Sequence, residues 1–420
     1  MKVIGIIAEY NPFHNGHKYQ IEQLRQKTGA DYVIIAMSGD FLQRGVPALC
    51  DKYHRARMAL SCGADLVLEL PAIWATASAE YFAKGGISLL YNTGVVTHLG
   101  FGAETDNLDA LYSLSTILKE EPDEYKRLLS KELKKGFPFP VARKHALLCV
   151  CHSSISPTEL DVLLDTPNNI LALEYLKALP DSISPVLIQR KGAGYHDTDI
   201  RTTLPSASAI RDTIFSSYEE ITEHLANDTL LQGAVPEEVH RILTPLIENN
   251  QFLHSEDFAD ILGYRLLSLK QDGYQEFADC TPELSNKISN LLPEYLGWDA
   301  FCQALKSKDI TYTRLSRCLL HILLDIKQQD YVLAQHIEYS PYLRILGFRK
   351  DATPLLNAMK SKATVPLISK VADASSILKP ESYAIFEKDI YASDIYNQVL
   401  SRKSGQVMKN DYSTPIVIME

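Results

Sequence analysis

MKVIGIIAEYNPFHNGH (residues 1–17) decides the fold. Val3, Ile4, Ile6 and Ile7 form an apolar run too short for a globular helix and suited to a strand buried on both faces. The run ends at Glu9, Asn11-Pro12 marks a turn, and His14-Asn15-Gly16-His17 leads into a helical stretch over Lys18–Lys27. A strand, a tight turn and a helix N-terminus in that order make an anion-binding corner, because free backbone N–H groups and the helix dipole face the ligand. Two imidazoles three residues apart on the first helical turn share one face and can reach the same phosphate group. Gly16 between them lets the backbone approach closely, since it has no Cβ.

Working outward, the first 110 residues repeat this strand–helix alternation. DYVIIAM (31–37), ADLVLELP (64–71) and VVTHLGFG (95–102) read as further buried strands, with helices over about 51–62 and 77–92. Repeated βα units predict a Rossmann-like, doubly wound parallel sheet with ligands at the carboxyl ends of its strands. His14, Ser38-Gly39-Asp40, Glu69 to Pro71 and Gly100-Phe101-Gly102 all fall at such ends. Residues 105–180 read as a helical insertion, and Pro167-Asn168-Asn169 opens its last helix. One of those asparagines is expected to cap that helix. SPVLIQRK (184–191) is a fifth strand with Arg190 at its carboxyl end. After a Gly-, Asp- and Thr-rich loop at 192–205, SASAIRDTIF (206–215) starts a helix on small side chains, with Arg211 near its first turn.

Asn, Asp, Gly and Pro cluster at 226–236 and mark a break. We expect a catalytic α/β domain over 1–225 and a mainly helical C-terminal domain over 237–420. Apolar residues there recur at three–four spacing, as in RLSRCLLHILLDI. YLRILGF and VPLIS read as short strands or apolar turns between helices.

At 420 residues the chain is long for one core, so two or three domains are expected. It contains no apolar run of membrane-spanning length and opens on a strand in place of a secretory signal. Seven scattered cysteines without a disulfide framework fit a cytoplasmic location. Cys149-Val-Cys151-His152 is the one cluster, and no second pair completes a metal site. The net charge of −10 argues at first against a nucleic-acid partner. Residues 306–370, however, hold eleven Lys and Arg against five acids, a local balance of +6 that leaves −16 elsewhere. That segment reads equally as a polyanion footprint and as solvated helix faces.

The HxGH pattern placed directly after a buried strand is similar to the signature of the nucleotidyltransferase superfamily, whose members transfer AMP- or CMP-type groups with release of pyrophosphate. The chain further resembles the tRNA(Met) cytidine acetate ligase family. The likeness rests on AEYNPFHNGH (8–17), MSGDFLQRGVPALCDKYHRARMAL (37–60), GADLVLELP (63–71), FGAET (101–105), PNNILALEYLKAL (167–179), RKGAGYHD (190–197) and SASAIR (206–211). YTRLSRCLLHILL (312–324) and YLRILGF (342–348) extend it through the C-terminal half. In one departure, Gln20 stands where most members are expected to carry a third histidine.

The resemblance implies an ATP-dependent ligase. It would form acetyl-adenylate from acetate and pass the acetyl group to the wobble cytidine of elongator tRNA(Met), giving N4-acetylcytidine. Adenylyl transfer needs the α-phosphate held in line and its developing charge stabilised. His14, His17 and Arg211 are the candidate catalytic residues. Nucleotide contacts are assigned to Ile7, Ala8, Glu9, Tyr10, Asn11, Pro12, Phe13, Asn15, Gly16 and Gln20 around the corner. Further contacts are assigned to Gly102, Asn168, Asn169, Arg190, Ser206 and Ser208. Asp40, Arg44 and Lys52 also fall on the active edge. Mg2+ is expected to bridge phosphate oxygens with few protein ligands, so no metal-binding residue is assigned. Arg314, Arg317, Arg344 and Arg349 are the candidate tRNA contacts. The alternatives are a small-molecule adenylyltransferase of the same superfamily, which would not need residues 237–420, and a non-catalytic nucleotide-sensing or RNA-binding module, from which His14 and His17 could be lost without consequence. The sequence does not fix an oligomeric state.

Overall fold

A computed structural model describes residues 1–151, 155–190, 206–220 (217–220 in backbone only), 231, 233–308 and 310–420. The 192–205 loop, most of the 226–236 break and His152 of the cysteine cluster lie outside the described residues.

The apolar runs form strands β1 (Val3–Ala8), β2 (Tyr32–Ser38), β5 (Leu66–Leu70), β6 (His98–Ala103) and β7 (Ser184–Gln189). They pair in parallel in the order β5-β2-β1-β6-β7. Ile6 lies opposite Ile35, and Ile34 opposite Leu66. The connecting helices are α1 (Asn15–Thr28), α2 (Lys52–Ser61), α3 (Ala72–Ala75) and α4 (Ala79–Asn92). α1 stops at Gly29, whose φ of 64° is the left-handed conformation of a helix C-terminus. The chain order reverses between β1 and β6, and such a switch point opens a crevice at the strands' carboxyl ends.

The insertion between β6 and β7 is helical as expected. It comprises α5 (Leu108–Glu120), α6 (Asp123–Lys134), α7 (Phe139–Val150), α8 (Pro157–Asp165) and α9 (Pro167–Ala178). α10 (Ala207–Glu220) follows, and six α-helices lie between Glu237 and His336 among the described residues. A two-stranded hairpin, β3 (Phe41–Leu42) with β4 (Val46–Pro47), stands beyond the end of β2.

The C-terminal segment does not stay helical. YLRILGF becomes β8 (Leu343–Arg349), which pairs antiparallel with β5. β9 (Leu367–Ile368) and β10 (Val417–Met419) pair in parallel with β8, completing an eight-stranded mixed sheet. The second half of the chain therefore shares its sheet with the first. A buried charge cluster reinforces the junction. The Lys52 ammonium lies 2.9 Å from Glu69 and 2.8 Å from Asp411, and Arg344 pairs with the same two carboxylates at 2.9 and 2.7 Å. Burial and Arg344 oppose the Lys52 charge, and Asp411, Glu69 and Asp40 outweigh them, so its pKa is raised.

Candidate active site

The helix start at His14 is built by the two histidines themselves. His14 is the N-cap of α1, and its Nδ1 accepts the Gly16 N–H at 3.0 Å. The His14 N–H donates in turn to His17 Nδ1 at 3.2 Å, which makes a reciprocal capping box from two imidazoles. The rings stack with centroids 3.7 Å apart. With each Nδ1 accepting, the proton of a neutral ring sits on Nε2, and that N–H is the remaining donor. Both rings are neutral. Burial, then the charges of Arg190 and Arg211, lower the His14 pKa to about 3. Burial, then His14 and Arg190, hold that of His17 well below its ordinary value.

This geometry revises one expectation. The backbone donors of α1's first turn are already engaged, Asn15 N–H with the Ala234 carbonyl and His17 N–H with that of His14. The corner presents imidazole N–H groups to a ligand in place of backbone N–H groups. α10 supplies the backbone donors instead. The Ser206 hydroxyl and carbonyl accept from Ala209 and Ile210, which leaves the N–H groups of Ala207 and Ser208 unpartnered among the described residues. Arg211 donates to the Asn11 carbonyl at 2.7 Å and to the Ser208 hydroxyl at 3.1 Å, tying α10 to the corner after β1.

These groups line one cavity of about 380 Å³. Of the expected site residues, Ile7, Ala8, Glu9, Tyr10, Asn11, His14, His17, Gln20, Gly102, Asn168, Arg190, Ser206, Ser208 and Arg211 line it. Pro12, Phe13, Asn15 and Gly16 do not. Phe13 is fully buried against Tyr10 and His17, Asn15 donates to the Gly233 carbonyl, and Gly16 serves the cap. A Cβ on Gly102 would lie 3.3 Å from the Arg190 side chain, so glycine leaves that wall open. Asn169 is also a correction. It is fully buried, its Oδ1 accepts from the N–H groups of Glu104 and Thr105, and its Nδ2 donates to the Val162 carbonyl. It holds the loop after β6, while Asn168 faces the cavity.

Arg44 and Phe101, expected on the active edge, do line the cavity, and sequence reasoning missed several further contributors. Ala79, Phe82, Ile170, Leu171 and Tyr175 form an apolar wall with Phe101, and Leu42, Gln43 and Val46 bring the β3–β4 hairpin to the opening beside Arg44. No sequence signal separates such a wall from ordinary core. Arg55 is fully buried and donates to the carbonyls of Glu9 at 2.7 Å, Ser38 at 3.1 Å and Cys50 at 3.0 Å, and to that of Gly39. It fixes the ends of β1 and β2 relative to each other. Lys52 and Asp40 belong to the buried charge cluster and do not line the cavity.

The candidate tRNA arginines divide. Arg344 is 2% exposed and locked between Glu69 and Asp411, and Arg317 is buried and paired with Asp279 at 2.8 Å. A guanidinium so enclosed is unavailable to a phosphate backbone, and both assignments are withdrawn. Arg314 and Arg349 remain partly exposed. Among the described residues no cluster of three His, Cys, Asp or Glu could hold a metal ion, and no helix is long and apolar enough to cross a membrane.

Comparison with known proteins places this geometry. The chain matches the HIGH Nucleotidyl Transferase family over residues 1–411. It is 37% identical over 421 residues to a tRNA(Met) cytidine acetate ligase of Thermoanaerobacter sp. (strain X514), covering 99% of this chain and 100% of that one. A tRNA(Met) cytidine acetate ligase of Acetivibrio thermocellus is 34% identical, with both chains covered in full. Thermotoga maritima TmcAL superposes with a TM-score of 0.89 in an apo crystal form and 0.88 when bound with alpha-thio ATP, at 30% identity and full coverage of both chains.

Proposed function

The chain belongs to the HIGH nucleotidyl transferase family, and from that premise we propose that it is an ATP-dependent acetate ligase acting in the cytoplasm on the wobble cytidine of elongator tRNA(Met). The observation that carries the reading is the pair of neutral, stacked imidazoles facing a cavity that Arg190, Arg211 and the first turn of α10 also line.

In the first step an acetate oxygen attacks the α-phosphorus of ATP, the bond to the bridging oxygen breaks, and acetyl-adenylate and pyrophosphate form. The Nε2–H groups of His14 and His17 donate to the α-phosphate oxygens, where negative charge grows. Arg211, Arg190 and the N–H groups of Ala207 and Ser208 take the β- and γ-phosphates. Gln20, one turn after His17, offers a neutral amide N–H, which suits a site whose histidines are themselves neutral donors. The apolar wall takes the base. Mg2+ would come with the nucleotide and would neutralise phosphate charge, and no side chain of the described site is assigned to hold it.

In the second step the exocyclic amine of cytidine attacks the acetyl carbonyl, AMP leaves, and the amine loses a proton. Direct transfer from the adenylate needs no acyl-carrier thiol, and the described site lines its cavity with none. The sharing of one sheet by both halves favours this reading over a small-molecule adenylyltransferase that could dispense with residues 237–420.

The test is ATP–pyrophosphate exchange with and without acetate, followed by mass spectrometry of nucleosides from tRNA incubated with ATP and acetate. Acetate-dependent exchange and N4-acetylcytidine are expected. Exchange indifferent to acetate, or acetylation supported by acetyl-CoA alone, would refute the reading.

A further inference from the structure

The helical insertion ends in a tip whose surface is out of keeping with the rest of the molecule. Residues 133–141, reading LKKGFPFPV, are exposed without interruption. Leu133, Phe137, Phe139 and Val141 are 40%, 40%, 54% and 38% exposed, an apolar concentration that no fold requirement explains. Pro138, between the two phenylalanines, holds extended backbone at φ −58° and ψ 150°. Phe137 is braced edge-on against the His145 ring, with centroids 5.0 Å apart.

Around these rings the charge is positive. Residues 123–150 carry seven Lys and Arg against three acids, on a chain whose net charge is −10. Lys135 pairs with Glu132, and Lys144 with Asp161. Lys126, Arg127, Lys131 and Lys134 have no ion-pair partner among the described residues. The insertion that carries the tip leaves the sheet just after Gly102 and returns through α9, whose Asn168 lines the cavity.

We propose that the α6–α7 tip is a contact surface for the RNA substrate, with Phe137 and Phe139 stacking on unpaired bases and Lys131 and Lys134 meeting phosphates. Exposed aromatic rings set among unpaired cations are the chemistry by which single-stranded nucleotides are held, since every base has a stacking face and every linkage a charge. An apolar partner protein would not call for the cations. This inference deepens the ligase reading and rests on it.

The experiment uses the full chain. F137A/F139A and K131A/K134A are compared with the parent for affinity to unmodified elongator tRNA(Met) at several salt concentrations, and for acetate-dependent ATP–pyrophosphate exchange. F137A/F139A should weaken binding about tenfold or more at every salt. K131A/K134A should flatten the salt dependence by about one to two phosphate contacts. Exchange should stay within twofold of the parent in both. The lysine pair is exposed and uninvolved in packing, so it remains informative if the phenylalanine variant fails to fold. Parental tRNA affinity in both variants, with normal acetylation by the parent, would overturn the proposal and leave the ligase reading intact. Loss of concentration-dependent self-association, or of binding to anionic phosphatidylserine vesicles, without loss of tRNA affinity would assign the tip to a second copy or a membrane and also overturn it. A parent that neither binds nor acetylates tRNA would refute the ligase reading itself.

Discussion

Replacing His14 by Asn separates the two tasks that the imidazole performs. Asn is among the best N-cap residues, so its side-chain oxygen can accept the Gly16 N–H as Nδ1 does now. It cannot extend an N–H to where Nε2 reaches. Helix stability at neutral pH should therefore hold, while acetate-dependent exchange falls by about two orders of magnitude or more. The same substitution removes a proton-linkage penalty. His14 has a folded pKa of about 3, against an unfolded value near 6.5. Between these values the unfolded chain binds a proton that the folded chain refuses, so stability is complete above about pH 6.5 and is lost as pH falls toward 3. At pH 5 the loss from this one group is about 2 kcal/mol. For a chain of 420 residues that corresponds to about 2 °C in melting temperature. The assay is the melting temperature of parent and H14N at pH 7.5 and pH 5. His14 is also one of the groups that hold the His17 pKa down, so the difference of differences reads His14 together with the part of the His17 penalty that it imposes, and every other titrating group is common to both proteins. An unchanged pH 5 deficit in H14N, or exchange within threefold of the parent, would refute the assignment of a neutral, Nε2-donating histidine.

Three further outcomes test the packing around the site. Arg344→Met leaves Glu69 and Asp411 facing Lys52 alone and should cost about 3–5 kcal/mol of stability, read by denaturant or thermal unfolding, without changing the salt dependence of tRNA binding. Asn169→Ala strands the Glu104 and Thr105 N–H groups and should lower stability by about 1–3 kcal/mol per stranded donor, whereas Asn168→Ala should raise the KM for ATP with the melting temperature nearly unchanged. Gly45→Ala places a methyl 2.3 Å from the Arg317 backbone nitrogen at a φ of 75°. It should displace the hairpin that borders the cavity, raising the KM for ATP and lowering the melting temperature together.

The sequence made the phosphate corner legible because its signals are local. A continuous apolar run can only be a buried strand when a turn and a helix start follow within nine residues, and Gly102, Arg190 and Ser206 sit at strand or helix ends for the same reason. The form of the corner was not legible. That α1's backbone donors are consumed by His14 and Ala234 depends on ring placement, which spacing does not encode. The arginines of the basic segment misled for a related reason. Arg344 looks like surface charge in sequence, and its partners Glu69 and Asp411 lie far along the chain. Nothing local marks a cation as buried when the compensating anions arrive from other elements. YLRILGF was ambiguous between strand and apolar turn because its sheet partner β5 is nearly 280 residues earlier.

That long-range pairing bears directly on whether the first half can act alone. A chain ending at residue 236 would lose β8, which is antiparallel to β5 from Leu66 to Glu69. Those are fully buried apolar residues except for Glu69, and they would become an unprotected sheet edge. Lys52, Asp40 and Glu69 would keep their burial-derived cost while losing Arg344, Asp411 and the Ser393 hydroxyl that bonds both Lys52 and Asp40. The β3–β4 hairpin would lose the helix Tyr312–Leu323, whose Ser316 hydroxyl donates to the Gly45 carbonyl at 2.8 Å. The loss of β8 bares β5 along most of its length, and the other losses fall around the carboxyl ends of β2 and β5, next to the cavity's hairpin. Truncation at 236 should therefore yield an aggregating chain with no acetate-dependent exchange, even though every phosphate-contacting residue is retained. A monodisperse 1–236 fragment with parental exchange would show that the catalytic half is self-sufficient. It would move the balance toward a small-molecule adenylyltransferase to which the remaining residues are an accessory.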